Sequence, residues 1–153
     1  MIPNEFFVTS GEAISSISQL NAFDRALKKA GIEQCNLVPV SSILPSTCKE
    51  RGWKKIPAGS ITHTVVARMD EKGETTIAAG IAWTWEKNMK YGLVAEAKGH
   101  MDRAVLKKTL KWKIDEMAKT REIKIGETNY RLEALKVPLE KYGCVIAALV
   151  FMP

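Results

Sequence analysis

The stretch Ile61-Thr62-His63-Thr64-Val65-Val66-Ala67-Arg68-Met69, then Asp70-Glu71-Lys72-Gly73, then Thr75-Thr76-Ile77-Ala78-Ala79-Gly80-Ile81-Ala82-Trp83-Thr84-Trp85, decides the fold class. Ile61, His63, Val65 and Ala67 fall on one face of an extended chain, the period of a strand. Asp70–Gly73 has turn chemistry, and the run behind it is again strand-like, so the pair reads as a hairpin. A third strand is expected over Tyr91–Ala97, with Gly92 and Gly99 near its ends. Tyr142–Phe151 is a short apolar run that suits a strand buried on both faces. Glu5–Thr9 reads as another short strand, with Ser10, Gly11 and the Ser15-Ser16 pair marking loop or turn.

Two helices interrupt these strands. Leu20, Phe23, Ala26 and Leu27 recur at helical spacing, which predicts a helix over Leu20–Ala30 with Asn21 as a candidate N-cap and Gly31 as C-cap. Met101–Thr120 is the clearest helix, with Leu106, Leu110, Ile114 and Met117 as its apolar stripe and Asp102 near its start. Lys107, Lys108, Lys111 and Lys113 decorate the remainder. Asn36-Leu37-Val38-Pro39-Val40 is strand-like but holds a proline, which suits a sheet edge. Ser46–Gly59 is polar, basic and rich in turn residues, and reads as an exposed loop. Glu122–Arg131 reads as a further strand with a turn at Gly126. The expected class is α+β: largely antiparallel sheets with helices packed on the outside.

The chain has 153 residues, 46% apolar and 26% charged, which suits one domain and excludes a disordered tail. The longest apolar run, Cys144–Met152, is far short of the roughly 20 residues that span a bilayer, so no membrane partner is expected. No secretory signal is expected from Met-Ile-Pro-Asn-Glu-Phe-Phe-Val, and Cys35, Cys48 and Cys144 form no Cys-x-x-Cys, which together point to the cytoplasm. His63 and His100 have no neighbours at ligand spacing, so no metal is expected. The net charge of +6 is compatible with nucleic-acid binding or with a solvated cationic surface.

Phosphate loops, dinucleotide fingerprints, nucleophile elbows and zinc-protease helices are all missing from the sequence. What remains is Ser41-Ser42, placed after the proline-bearing strand and before Ile43-Leu44-Pro45. Two serines in a loop are, alone, ordinary turn formers. Their surroundings say more. Leu20-Asn21-Ala22-Phe23-Asp24, Ala30-Gly31-Ile32, Asn36-Leu37-Val38 and Ser41-Ser42-Ile43-Leu44-Pro45 resemble, in order and spacing, the archaeal pyruvoyl-dependent arginine decarboxylases. Ile56-Pro57-Ala58-Gly59, Gly73-Glu74-Thr75, Gly92-Leu93-Val94-Ala95-Glu96 and Glu140-Lys141-Tyr142-Gly143-Cys144 extend the resemblance to about Leu20–Phe151.

That resemblance implies a four-layer α-β-β-α sandwich whose single domain, 1–153, cuts itself into a β chain, 1–41, and an α chain, 42–153. Ser42 attacks the carbonyl of Ser41, and elimination and hydrolysis leave a covalent pyruvoyl group at position 42. L-arginine then loses CO₂ through a Schiff base with that group and gives agmatine, for polyamine synthesis or acid tolerance. By the same resemblance Asn36 supports self-processing, Glu96 reprotonates the α-carbon and Asp24 holds the guanidinium. The partners implied are arginine and further copies of the chain, in trimers or hexamers with sites between subunits.

Each residue also has a plainer reading. Asn36 can satisfy strand backbone, Asp24 can be a helix-surface aspartate, and Glu96 can be a surface carboxylate beside Lys98, which shares its strand face and favours the ionised form. Three rival functions stand beside arginine decarboxylation. One is pyruvoyl chemistry on another amino acid. Another is an inactive paralogue. The third is a basic nucleic-acid-binding module that uses Trp83, Trp85, Trp112 and the lysines of the 101–120 helix.

Overall fold

The computed structural model describes residues 1–152. In chain order the elements are β1 (Glu5–Ser15), α1 (Gln19–Ala30), β2 (Asn36–Pro39), β3 (Ile43–Pro45), β4 (Lys49–Glu50), β5 (Ile61–Lys72), β6 (Thr75–Trp85), β7 (Tyr91–Gly99), α2 (Arg103–Thr120), β8 (Asn129–Val137) and β9 (Tyr142–Met152). The strands form two sheets, ordered β2-β5-β9-β1-β4 and β3-β7-β6-β8. Helix α1 packs on the first sheet and α2 on the second, while the sheets face each other. The expected α+β class and layer order are therefore present.

The hairpin expected at Asp70–Gly73 is not a hairpin. Strand β5 pairs with β2 and β9, and β6 pairs with β7 and β8, so the turn carries the chain from one sheet to the other. The physical reason is that each strand's apolar face needs a partner face more than an edge. Val65, Ala67 and Met69 meet Ile77, Ala79 and Ile81 across the interior, with Phe6, Val145 and Leu149. Each large side chain buried there contributes roughly 1.5–3 kcal/mol. Gly73 turns the corner at φ 92° and its N–H donates to the Lys141 carbonyl at 3.1 Å. Strand β9 lies mid-sheet, with Val145, Ala147 and Leu149 toward the interior and Cys144, Ile146 and Ala148 toward α1, which explains its unbroken apolar run.

Strand β1 does not stop at Thr9 but runs through Ser10 and Gly11 to Ser15, paired with β9 along its length. Gly11 is a packing glycine and not a turn: a Cβ there would collide with the Ala26 carbonyl oxygen of α1. The helix face pressed on it is made of Ala22, Ala26 and Ala30, and Leu20, expected in the apolar stripe, is 75% exposed. Ser18, not Asn21, is the N-cap, its hydroxyl accepting from the Asn21 N–H at 3.1 Å. Gly31 closes the helix in the left-handed conformation, as expected, and the Thr9 hydroxyl takes the Ala30 carbonyl at 2.7 Å.

Helix α2 starts at its Asp102 cap and buries Leu106, Leu110, Ile114 and Ala118 on the second sheet, with Met117 only partly covered. The strand expected over Glu122–Arg131 begins only at Asn129. The expected loop Ser46–Gly59 holds the short β4, paired with the start of β1. Trp83 and Trp85 belong to the sheet-to-sheet core, and the Trp83 Nε1–H donates to Glu50 Oε2 at 3.1 Å. Trp83 and Trp85, two of the three tryptophans of the nucleic-acid reading, therefore serve the core, while Trp112 is exposed. Among the described residues no helix is long and apolar enough to cross a membrane.

Substituting Gly11→Ala is expected to cost about 1–3 kcal/mol or more, because α1 has to lift off β1. Urea unfolding would read this as a lower midpoint, and an unchanged midpoint would refute the packing role.

Candidate active site

The site begins where a strand leaves one sheet for the other. Strand β2 lies along β5 at the first sheet's edge, in parallel register from Asn36–Ile61 to Pro39–Thr64. The Val40 N–H still donates to the Thr64 carbonyl at 2.9 Å. Two residues later the Ser42 carbonyl accepts the Val94 N–H of β7, also at 2.9 Å, and β3 continues antiparallel to β7 in the second sheet. The Ser41–Ser42 peptide thus bridges the sheets on the open flank of the sandwich. Ser41 is exposed and Ser42 half-buried.

Strand β3 joins β7 only from Ile43, opposite Leu93, so β7 beyond Val94 has no strand neighbour on that side. The result is a cleft of about 500 Å³, lined by Ser41, Ser42, Val94 and Glu96 on the strand side and by Trp112, Lys113 and Glu116 of α2 opposite. Glu96 is solvent-accessible at this rim. The protein packed around its carboxyl nonetheless raises its pKa, against the lowering effect of the Lys113 and then the Lys98 ammonium. Lys98 acts in the direction that its place on the strand implies, but burial outweighs it. Lys113 does not bond to the carboxylate: its Nζ donates to the Glu96 backbone carbonyl at 2.9 Å.

Ser41, Ser42 and Glu96 are therefore brought together. Asn36 and Asp24 are not. Asn36 stands at the other end of β2, five residues of near-extended chain, roughly 16 Å, from Ser41. Its Nδ2 donates to the Gly59 carbonyl at 3.0 Å. Asp24 is on the exposed side of α1, a helix that packs on the first sheet, whereas α2 of the cleft packs on the second. Sequence reading missed Trp112, Lys113 and Glu116 as cleft residues. The available signal was their place on α2, on the side away from the Leu110–Ile114 stripe, with Trp112 64% exposed. Among the described residues no group of three or more His, Cys, Asp or Glu side chains gathers to hold a metal.

The arrangement offers a hydroxyl directly after a peptide carbonyl, and a carboxyl that keeps its proton to higher pH, in a partly apolar cleft. Residues 5–153 match the family model described as pyruvoyl-dependent arginine decarboxylase. The chain is 35% identical to pyruvoyl-dependent arginine decarboxylase 2 of Archaeoglobus fulgidus, over 99% of this chain and 98% of that protein. It is 34% identical to the pyruvoyl-dependent arginine decarboxylase of Methanocaldococcus jannaschii, over 96% and 88%. The protein of the same name from Methanopyrus kandleri is 30% identical, over 98% and 97%. The chain belongs to the pyruvoyl-dependent arginine decarboxylase family.

Three glutamates should separate on titration. Glu96 is raised by burial, whereas Glu5 is lowered by hydrogen bonds from Arg51 and Lys54, and Glu71 by the Lys72 N–H and His100. Carbon-13 NMR of labelled glutamate carboxyls should show Glu96 holding its proton to higher pH than the other two. Equal midpoints would show that the cleft does not desolvate it.

Proposed function

We propose that this chain decarboxylates L-arginine to agmatine and CO₂ with a pyruvoyl group made by cutting its own Ser41–Ser42 bond. The observation that carries this reading is the position of that peptide: it crosses between the sheets at the mouth of the cleft that also holds Glu96. The residues present suit the group. Ser42 follows the scissile carbonyl, its own carbonyl is held by the Val94 N–H, and its side chain is half-buried at the cleft rather than free in solvent.

Processing consumes one water and no other reactant. The Ser42 Oγ attacks the Ser41 carbonyl carbon, and the C–N bond breaks as the nitrogen takes a proton, leaving an ester. Loss of the Ser42 α-proton then expels the Ser41 carboxylate as leaving group. Hydrolysis of the resulting enamine releases ammonia and leaves a ketone at position 42. Serine serves because its oxygen is first a nucleophile and then, once acylated, a leaving group. The group supplies the electron sink that no amino-acid side chain offers.

Glu96 supplies the proton that replaces CO₂ on the substrate α-carbon. Its raised pKa suits this role, since an ordinary glutamate is ionised at neutral pH. Asp24 holds the guanidinium fork through its carboxylate. Because α1 and the cleft lie on opposite layers, this assignment requires Asp24 from a neighbouring copy, in a trimer or hexamer. Asn36, on the edge strand β2, is assigned the oxyanion of processing under the same arrangement. Exposed Leu20, one turn before Asp24, and exposed Val38, Val40 and Ile43 around the serine pair supply apolar surface for such contacts. Three unpaired cysteines suit the cytoplasm.

Denaturing mass spectrometry of wild-type protein should find chains of 41 and 112 residues, the longer with a keto-acyl N-terminus. Ser42→Ala should remain one chain. A wild-type sample that stays uncut would overturn the proposal. In processed enzyme, Glu96→Gln should lower kcat by about 10²–10⁴-fold. Asp24→Asn should raise KM for arginine while leaving processing intact. Unchanged arginine kinetics would remove Asp24 from the substrate site.

A further inference from the structure

The cleft contains one polar contact that neither processing nor substrate binding uses. Along an antiparallel strand, backbone groups of residues two apart point to the same side. The Val94 N–H points to that edge and bonds Ser42, so the Glu96 carbonyl points the same way, beyond the start of β3, where the chain is still bonded to the first sheet and no strand receives it. The Lys113 Nζ, reaching from α2, fills that place at 2.9 Å. An ammonium is thereby fixed at the backbone of the residue whose carboxyl faces the cleft.

We propose that Lys113 is a positioning residue for Glu96, anchoring the open edge of β7 to α2 and setting, through its fixed charge, how readily the Glu96 carboxyl releases its proton. This inference rests on Glu96 as the proton donor. Two opposed demands meet there. Burial keeps the proton on, so that it is present to be donated, while a carboxyl whose pKa is raised too far is a weaker acid and gives that proton up more slowly. A cation held at the carbonyl, not at the carboxylate, moderates the first effect without forming an ion pair that would abolish it.

The other charged groups around Glu96 are few. Lys98 lies on its own strand, and Glu116 and Arg121 line the cleft from α2 and its end. Neighbouring Ser41, Ser42, Val40 and Val65 carry no charge, and neither does Ile81, its partner on β6. Lys113 stands ahead of Lys98 in holding the Glu96 pKa down. A purely structural lysine would stabilise the edge yet leave the titration of Glu96 where it is.

The test titrates Glu96 by carbon-13 NMR in the full-length Ser42→Ala chain, which makes no pyruvoyl group. Lys113→Met should move the Glu96 midpoint to higher pH, Lys113→Arg should restore it, and Lys98→Met should move it less. Lys113→Gln, which retains a donor but no charge, replaces Lys113→Met if the latter does not fold, with the same expected direction. In processed enzyme the alkaline limb of kcat against pH should rise in parallel. A Glu96 midpoint unmoved by loss of the Lys113 charge would overturn the proposal. Should Glu96→Gln leave the alkaline limb in place, Glu96 is not the proton donor, and that failure is read separately from the Lys113 titration.

Discussion

The two sheets share one strand of chain on their open flank, from Pro39 to Ile43, and that chain has to leave one hydrogen-bond ladder before it joins the other. The last bond to the first sheet is made by the Val40 N–H and the first to the second sheet by the Ser42 carbonyl. The peptide joining Ser41 to Ser42 sits between these anchors, held at both sides and committed to neither ladder. A bond so placed is accessible, fixed in orientation and unnecessary to either sheet. Residues 1–41 keep their place without it, because β1 is paired with β9 along its whole length and α1 is packed down on both strands. Covalent continuity and tertiary stability are thus separated at one position. The proposed self-cleavage depends on that separation.

The same shortness of β3 that frees the serine pair also uncovers β7. A complete neighbour strand would bury the Glu96 carbonyl in a ladder and leave no cleft. Its late start leaves a rim where a carboxyl is partly withdrawn from water, with two lysines opposing the effect of burial. The basic composition takes on a specific meaning here. Two lysines of α2 are engaged locally, Lys111 with Asp115 and Lys119 with Glu116, in exposed pairs that solvent screens. Lys113 differs in being fixed to strand backbone, and a charge with a fixed address acts on a neighbour more than a mobile one does.

Periodicity made the strands and helices legible because period 2 and period 3.6 are local properties. The partner of each strand is not local. Thr75–Trp85 reads as the return arm of a hairpin because a short turn precedes it, yet Ile77, Ala79 and Ile81 are needed in the interior opposite β5. Gly11 looks like punctuation, and only the Ala22–Ala26–Ala30 face of α1 shows why a side chain is forbidden there. Ser41, Ser42 and Glu96 were legible through their motif surroundings, and the cleft brings them together. Trp112, Lys113 and Glu116 were not, since a charged helix face looks the same in sequence whether it meets solvent or a neighbouring strand edge.

Asn36 and Asp24 show the converse limit. Both carry the resemblance in sequence, and both lie away from the cleft within one chain, Asn36 along β2 and Asp24 on the outer layer. A residue that serves a site in a neighbouring copy has no reason to approach the equivalent site in its own. Its own-chain surroundings should look like ordinary surface, with exposed apolar residues beside it. Leu20 near Asp24, and Val38 near Asn36, have that character. The edge strand β2 adds a physical motive, since an exposed edge carrying Val38 is costly to leave uncovered, and Pro39 limits ladder-type pairing there without preventing side-chain contact. Within one chain Asn36 and Asp24 therefore stand outside the cleft, and they reach such a site only under the proposed assembly.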